Sequence, residues 1–376
     1  MFNPQTSLAS RQWLCLCWLF LAMAFSGSIG VAQDDVRTVV LDSHELNESS
    51  GIAQTGPVMW THNDSGDIPR LFAFSQDGAL RGRFLIRGAQ AIDWEDMCAF
   101  QRDGKHYLAV GDIGDNSAQR KSVRVYVIQV PEALLTVHAA LSADLQSNLP
   151  SDRRLAAETS IGENASATTE TLPTPALPNP APASSTPLSA APLSTAPLST
   201  AVHSARSTRS AQGELTVQAT FEIRYPTGPV DCEALAYDSL SQSFLLATKE
   251  LLRCRLYRVP AAILSGTQSV QAEFTESLLL PLVTGGDISP DGKQLVLSTY
   301  GPGCLLQRRF DDQQQPAGWE TQGLGAVRIF ALPPRRQGES IGFSQDGQRL
   351  WLTSEGIPTP LHSMPVPGPR SRPDLR

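Results

Sequence analysis

Two stretches in the first third of the chain place acidic residues beside short apolar runs. Asp93-Trp94-Glu95-Asp96 opens one run, and Gly111-Asp112-Ile113-Gly114-Asp115-Asn116 closes the next. Carboxylates at the ends of buried strands are costly unless a cation or a hydrogen-bond donor meets them. Oxygen ligands without cysteine or paired histidine select Ca²⁺ or Mg²⁺ over zinc. We therefore predict a Ca²⁺ site whose candidate ligands are Asp93, Glu95, Asp112, Asp115, Asn116 and Glu233, with Asn63 and Asp64 close by.

An internal repeat places these residues in a recurring element. Five segments align with their first residues at positions 48, 95, 233, 284 and 339, and four of the five begin with glutamate. A second strand that ends in polar residues follows each start after 13 to 16 residues. Repeats of about 50 residues with four short strands are typical of β-propeller blades. We therefore predict an all-β chain, a β-propeller of five four-stranded blades with six as the alternative, in a ring closed by an N-terminal strand at residues 36–41.

The inner strand of each blade borders the central channel of a propeller, so the repeated glutamates are expected to form a ring. The predicted members of this central ring are Glu48, Glu95, Glu233 and Glu339. Carboxylates held that close need a cation, a basic or amide partner, or shared protons. The alternative to a metal site is that the same acidic groups cap strands and bond to backbone amides.

Two further polar residues stand at strand ends on the same mouth of the channel. His62 could act as a general base, and Lys249 could contact an oxyanion or a phosphate. The candidate catalytic residues are therefore His62, Glu95, Glu233 and Lys249. A structural interpretation is also open, in which Lys249 neutralises the glutamates and His62 bonds to a turn. The sequence contains no Gly-x-Ser-x-Gly elbow, so serine-hydrolase chemistry has no support.

Composition divides the chain into four parts. Residues 1–32 carry Arg11, an apolar run and small residues at 30–32, which is typical of a cleaved signal peptide, with an uncleaved membrane anchor as the alternative. Residues 33–366 form the predicted propeller. A stretch rich in Ala, Pro, Ser and Thr interrupts it at about residues 140–213, and we interpret this stretch as a disordered insertion. The tail, residues 367–376, is rich in proline and arginine and is expected to fray.

Charge and cysteine content narrow the choice of partners. The net charge of −7 and a pI near 5.4 exclude the basic footprint of a nucleic-acid-binding protein. Four cysteines remain after signal cleavage, and they either form two disulfides or are small buried strand residues. They are Cys98, Cys232, Cys254 and Cys304. We expect an exported monomer in the periplasm, the cell envelope or outside the cell, with no stable membrane insertion after cleavage and a small molecule or a protein as its unidentified partner.

Several phrases of the sequence resemble a group of exported bacterial propeller proteins that are loosely related to phytase-like and esterase-like propellers. They are Asn47-Glu48-Ser49-Ser50-Gly51, His62-Asn63-Asp64-Ser65-Gly66, Asp93-Trp94-Glu95-Asp96, Gly111-Asp112-Ile113-Gly114-Asp115-Asn116 and Thr248-Lys249. The resemblance covers about residues 45–365 apart from the insertion. Calcium-dependent phytase propellers hold metals on clustered carboxylates beside Lys and Arg that grip phosphate. Here the carboxylates are present but the basic residues are few, so the resemblance implies the fold rather than that activity.

These observations together predict an exported β-propeller that acts as a ligand- or protein-binding module with an acidic, Ca²⁺-binding central site. The alternative is a metal-dependent hydrolase of phosphate esters, lactones or glycosides. A scaffold without a small-molecule site is a third possibility.

Overall fold

The computed structural model describes residues 35–135, 211–321 and 327–368. All of them belong to one of the two compact units into which the chain divides, and the other unit, Ala139–Arg209, lies outside the described residues. The predicted signal peptide and most of the predicted insertion and tail also lie outside them, so those predictions stay open. Within the described ranges, no helix is both long and apolar enough to cross a membrane.

Twenty-two β-strands make up most of the described residues. In chain order they are β1 (Arg37–Val40), β2 (Ser49–Thr55), β3 (Val58–Asn63), β4 (Arg70–Ser75), β5 (Leu80–Arg87), β6 (Trp94–Arg102), β7 (Lys105–Asp112), β8 (Val123–Val130), β9 (Ala211–Arg224), β10 (Cys232–Asp238), β11 (Ser243–Thr248), β12 (Cys254–Pro260), β13 (Gly266–Gln271), β14 (Glu273–Leu278), β15 (Val283–Ile288), β16 (Gln294–Thr299), β17 (Gly303–Phe310), β18 (Pro316–Trp319), β19 (Val327–Phe330), β20 (Gly342–Phe343), β21 (Arg349–Thr353) and β22 (Pro360–Pro365).

The strands lie in four hydrogen-bonded sheets, two of four strands, one of five and one of nine. Antiparallel pairing divides these sheets into five four-stranded groups that follow one another along the chain. From the inside outwards the groups are β2-β3-β4-β5, β6-β7-β8-β9, β10-β11-β12-β14, β15-β16-β17-β18 and β20-β21-β22-β1. The strand β19 is a third partner of β17, next to β16 and β18. Nearly every residue of β2, β6, β10 and β15 is buried, as expected for short apolar strands that are covered on both faces.

The first strands of the groups lie against one another. β2 contacts β6, β6 contacts β10, β10 contacts β15, β15 contacts β20, and β20 contacts β2. An isolated parallel bridge between Ser50 and Glu339 makes the same link between the last group and the first. Antiparallel sheets arranged radially about their first strands are the architecture of a β-propeller. The prediction of an all-β propeller fold is therefore confirmed.

Two strands depart from the simple order. The first residues of β9 pair in parallel with β5, and its later residues pair antiparallel with β8 and in parallel with β13. Residues 136–210 therefore connect two neighbouring strands of one sheet. The predicted N-terminal strand is present as β1, which pairs antiparallel with β22 of the last group.

Apolar side chains fill the spaces between neighbouring groups. Phe100, Tyr237 and Phe244 pack between the second group and the third, with the ring centroids of Phe100 and Tyr237 3.8 Å apart. Trp60 and Trp94 are buried between the first group and the second. All four cysteines of the predicted mature chain are buried and free, which supports their interpretation as small buried residues.

Candidate functional site

β-bulges near the starts of four inner strands place one residue of each outside the hydrogen-bond ladder. The pairing register shifts at Gly51 in β2, Glu95 in β6, Glu233 in β10 and Thr284 in β15. A bulge re-aims the side chain of its extra residue. Because the four bulges occupy equivalent positions, Glu95 and Glu233 lie at the same end of neighbouring strands.

This equivalence corrects the first member of the predicted central ring. Glu48 is exposed, precedes β2 and lies three residues before the bulge at Gly51. Gly51 instead holds the position that Glu95 and Glu233 hold in the next two groups. A side chain there would have no room, because a Cβ on Gly51 would lie 2.7 Å from His62 Nε2 and 2.8 Å from the backbone N of Met97.

Gly51→Ala is expected to lower the free energy of unfolding by about 2 kcal/mol, since it combines backbone strain with overpacking. The φ of Gly51 is 65°, and the new Cβ would meet the backbone of β6. Gly66→Ala is the matched control, because Gly66 has a φ of 93° and nothing within 4 Å of the Cβ position. The control carries the backbone strain without the close contact, so thermal unfolding of both variants separates these two causes of lost stability. Equal losses would contradict the tight approach of β2 to β6.

Six carboxylates from four strand groups meet where the inner strands begin, and we call this region the acidic mouth. Its members are Asp64, Asp93, Glu95, Glu233, Glu339 and Glu355. Oxygens of Asp64, Asp93 and Glu95 lie within 4.8 Å of one another. Oxygens of Asp64, Glu339 and Glu355 do the same, so Asp64 joins the two clusters. The first group thus supplies Asp64, just after β3, to both clusters, while the exposed Glu48 lies outside them and its charge adds to the rise in the pKa of Glu355.

Gly114 allows two of these carboxylates to lie against the backbone that follows β7. A Cβ on Gly114 would overlap Glu95 Oε1 and lie 2.6 Å from Asp93 Oδ2. The backbone N of Gly114 donates a hydrogen bond to the carbonyl of Asp93 at 3.2 Å. The glycine in the Gly111-Asp112-Ile113-Gly114 phrase is therefore part of the site.

Burial and mutual repulsion raise the pKa values of the mouth carboxylates. Burial raises the pKa of Asp64 to about 6, and Glu339 adds to the rise. Burial and then Glu233 raise the pKa of Glu95 well above its usual value. Burial and then Glu339 raise the pKa of Glu355 to about 8. A bound cation would favour the ionised form of all these groups and so offset the cost of holding them together.

Lys249, which follows β11, brings a positive charge to the mouth. Its Nζ lies 2.7 Å from Glu233 Oε1 and 5.4 Å from the ring centroid of Tyr300. Burial alone would lower the pKa of Lys249, but Glu233 and Tyr300 raise it above its usual value. Burial raises the pKa of Glu233 to about 8, and Lys249 acts against that rise. These contacts support the structural interpretation of Lys249 as the partner of a buried glutamate.

Glu339 has one satisfied and one unsatisfied carboxylate oxygen. Its Oε1 accepts hydrogen bonds from Gln337 Nε2 at 2.8 Å and from the Tyr300 hydroxyl at 3.3 Å. Its Oε2 is buried and has no hydrogen-bond partner among the residues that the structure describes. Because a buried acceptor without a donor is costly and rare, this oxygen needs a positive charge or a proton beside it. A bound cation can supply the charge, and the carboxyl of Glu355, which is hydrogen-bonded to Glu339 and has a raised pKa, can supply the proton.

Three of the predicted metal ligands lie beside the acidic mouth rather than in it. Asp112 Oδ1 accepts hydrogen bonds from Arg120 Nη2 at 2.8 Å and from the backbone N of Asp93 at 3.1 Å. The Asp115 carboxylate accepts from the backbone N of Arg120 at 2.7 Å, and Asn116 is exposed. The structure therefore places Asp93, Glu95 and Glu233 in the acidic mouth, whereas Asp112 and Asp115 lie beside Asp93 and add to the rise that burial causes in its pKa. The buried Oδ2 of Asp112 has no hydrogen-bond partner among the described residues.

His62 and Asn63 make structural contacts next to the acidic mouth. His62 is fully buried, its Nδ1 bonds to the carbonyl of Asn63 at 2.8 Å, and its ring packs edge-on against Trp94. Burial lowers the pKa of His62 to about 4, which keeps the imidazole neutral. Asn63 Oδ1 accepts from the backbone N of Asn47 and of Glu48 at 3.1 and 3.2 Å. Both residues thus have a structural role that their types alone do not reveal.

Asp96 is an acidic residue that the sequence analysis did not assign to the site. Its Oδ2 accepts from the backbone N of Leu235 at 2.9 Å and of Gly286 at 3.0 Å, and its Oδ1 accepts from the backbone N of Met97 at 2.8 Å. Burial raises the pKa of Asp96, and these amides act against the rise. One buried carboxylate therefore links β6 to β10 and β15. The adjacent pair Glu95-Asp96 at the start of an apolar run was the signal for it.

A cavity of about 370 Å³ lies at the opposite end of the inner strands. Its lining includes Gln54, Gln101, Asp287 and Gln345, each from a different group. Asp287 Oδ1 and Oδ2 accept hydrogen bonds from the backbone N of residues 288 and 343, both at 2.8 Å. Burial raises the pKa of Asp287 to about 7. Its carboxylate is satisfied by the backbone, in contrast to Glu339.

Comparison with known proteins adds little to these observations. No family model matches the chain, and no curated protein matches it. A solved structure titled "Structure of Dos1 propeller" is similar to 86% of this chain and 69% of that chain, with 7% sequence identity and a TM-score of 0.33. The assignment of the propeller fold therefore rests on the strand order and on the contacts between the inner strands.

Proposed function

We propose that the chain is a five-bladed β-propeller, closed by β1, that acts as an exported binding module with a divalent cation in its acidic mouth. The blade count is supported by the five inner strands, each of which contacts the next, and by the contact of β20 with β2. Closure by β1 is supported by its pairing with β22 in the last group. Export is supported by the N-terminal sequence alone.

The unsatisfied Oε2 of Glu339 carries the proposal of a bound cation. This buried atom belongs to a carboxylate that has an oxygen within 4.8 Å of oxygens of Asp64 and Glu355. The donor set consists of carboxylate oxygens, which favours Ca²⁺ over a transition metal. Three carboxylates fill only part of the roughly six to eight positions around Ca²⁺. The remaining positions could accept water or an oxygen of a bound ligand.

Ca²⁺ is expected to raise the melting temperature of the protein above its value in EDTA. A ligand that binds only the folded state at 100 times its Kd adds about 2.7 kcal/mol, which corresponds to a rise of roughly 3 to 5 °C for a chain of this size. Thermal unfolding and titration calorimetry at neutral pH measure the effect. An unchanged melting temperature together with no heat of binding would overturn the proposal.

Glu339→Gln tests the assignment of the binding atom. The glutamine keeps an oxygen that can accept from Gln337 but loses the charge, so Ca²⁺ affinity is expected to fall about tenfold or more. Glu273→Gln is the matched control, because Glu273 pairs with Arg258 in an exposed ion pair of the third group. Equal affinities for both variants would place the cation elsewhere.

The alternative function, a metal-dependent hydrolase of phosphate esters, lactones or glycosides, stays a prediction. Of its four candidate catalytic residues, His62 is fully buried and Lys249 is held by Glu233. Glu95 and Glu233 are also buried, and Glu233 is the partner of Lys249, but their raised pKa values suit the role of a general acid.

A further inference from the structure

Half of the exposed large apolar side chains among the described residues lie on the face of the propeller that carries the acidic mouth. The loops after the second strands carry Asp64, Lys249 and Glu355, and this places them on that face. These loops and the connections into the inner strands contain six of the twelve exposed large hydrophobic residues among those described. They are Ile68, Ile92, Leu251, Leu252, Leu279 and Ile357.

Three of these residues form a leucine patch in the third group, which we define as Leu251, Leu252 and Leu279. Their exposed fractions are 61%, 76% and 95%. The backbone N of Leu282 donates to the carbonyl of Glu250 at 2.9 Å, and this bond ties the two segments that carry the patch. Single exposed leucines are ordinary, but three in adjoining segments mark an interaction surface.

The charges around the leucine patch define the partner. The patch adjoins Lys249, whose charge is paired with Glu233. Arg253 of the same loop and Arg255 of β12 share one carboxylate, with their Nε atoms 3.1 Å and 2.6 Å from oxygens of Glu250. When a cation holds the six carboxylates of the acidic mouth in their ionised form, their charge still exceeds that of the cation, of Lys249 and of Arg335, whose charge interacts with Glu339. A positively charged group is complementary to this face.

We propose that this face docks a polypeptide segment of a partner protein that presents a lysine or arginine side chain to the acidic mouth and apolar side chains to the leucine patch. Burial of three leucine side chains supplies affinity, and the charge fixes the position of the segment. The proposal deepens the proposed function, since it rests on the same acidic mouth, but it does not require the bound cation. An anionic membrane surface is disfavoured because the mouth carboxylates would face like charges.

Selection from a phage-displayed library of random 12-residue peptides tests the proposal directly. The enriched sequences are expected to place Lys or Arg beside aliphatic residues, and a synthetic peptide of the enriched sequence should bind in titration calorimetry. Exchange of its basic residue for glutamate should weaken binding about tenfold or more. Absence of enrichment, enrichment of acidic sequences, or binding to phosphatidylcholine vesicles with no peptide binding would overturn the proposal.

Matched variants locate the contact on the protein. The triple variant Leu251→Ser, Leu252→Ser, Leu279→Ser is expected to weaken the peptide about tenfold or more. Leu240→Ser with Ile263→Ser is the control, because these exposed residues lie in turns at the opposite strand ends. Unchanged affinity in the triple variant would overturn the proposal. Peptide binding by the wild type in EDTA would show that docking survives failure of the cation site, whereas a Ca²⁺-induced rise in the melting temperature of the triple variant would show that the cation site survives failure of docking.

Discussion

Asp96→Asn is expected to lower the free energy of unfolding by about 2 to 4 kcal/mol, which is a large share of the stability of a typical domain. Both oxygens of Asp96 accept backbone N–H groups, two on Oδ2 from β10 and β15 and one on Oδ1 from its own strand. Asparagine has one acceptor oxygen, so its NH₂ group would face at least one of these donors. A buried amide would then lose its partner, and the inner strands would have to separate.

Asp346→Asn is the control for this prediction. Asp346 lies in an exposed turn, and its bonds from the Ser344 hydroxyl and from the backbone N of Gln348 both end on Oδ1. The asparagine oxygen can keep both bonds, so the loss is expected to be below about 0.5 kcal/mol. Denaturant unfolding of the two variants measures the difference. A loss at Asp96 no larger than that at Asp346 would show that the carboxylate does not hold the inner strands together.

Lys249→Met is expected to destabilise the protein by about 3 to 5 kcal/mol at pH 8.5, because it leaves the buried carboxylate of Glu233 without its ion-pair partner. The folded-state pKa of Glu233 is about 8, above its usual value of 4.5, so the folded protein holds the proton more tightly than the unfolded chain. The stabilisation that comes from the protonated Glu233 carboxyl is therefore fully present below about pH 4.5 and is lost as the pH rises through about 8. Loss of Lys249 raises this pKa further. The deficit of the variant should thus be smaller at about pH 5.5 than at about pH 8.5.

The double variant Lys249→Met, Glu233→Gln separates charge from packing. It should recover much of the stability that Lys249→Met loses at about pH 8.5, since an amide needs no counterion. Chemical denaturation of the wild type, both single variants and the double variant at the two pH values completes the cycle. A deficit in Lys249→Met that is equal at both pH values would refute an electrostatic origin.

The spacing of the repeats predicted the propeller fold because each blade must place an inner strand at the same point of its cycle. Thr284, Glu95 and Glu233 align in the sequence and occupy equivalent bulges in the structure. Glu48 aligned as well, but only by residue type, since Gly51 holds the bulge of the first group. Residue identity alone could not show which of two nearby residues leaves the ladder.

The acidic mouth was only partly predictable, because its members come from different places in each repeat. Asp93 and Glu95 stand before and within an inner strand, whereas Asp64 and Glu355 follow second strands. Lys249 also follows a second strand, β11, but it carries the opposite charge. The residues that follow the second strands therefore share a location but not a residue type. Asp112 was predicted as a ligand and pairs instead with Arg120, which is eight residues away and carried no repeat signal.

The bridge between Ser50 and Glu339 has a consequence for the way the molecule unfolds. In an open array of repeats, a terminal unit can fray while its neighbours stay folded. Here the link between the last inner strand and the first leaves no terminal unit among the strands that the structure describes. Asp96 and Asp287 tie further pairs of inner strands through their backbones. A blade cannot melt without breaking contacts on both of its sides. The described part of the chain should therefore lose its structure in a single cooperative transition, although it is built from repeats.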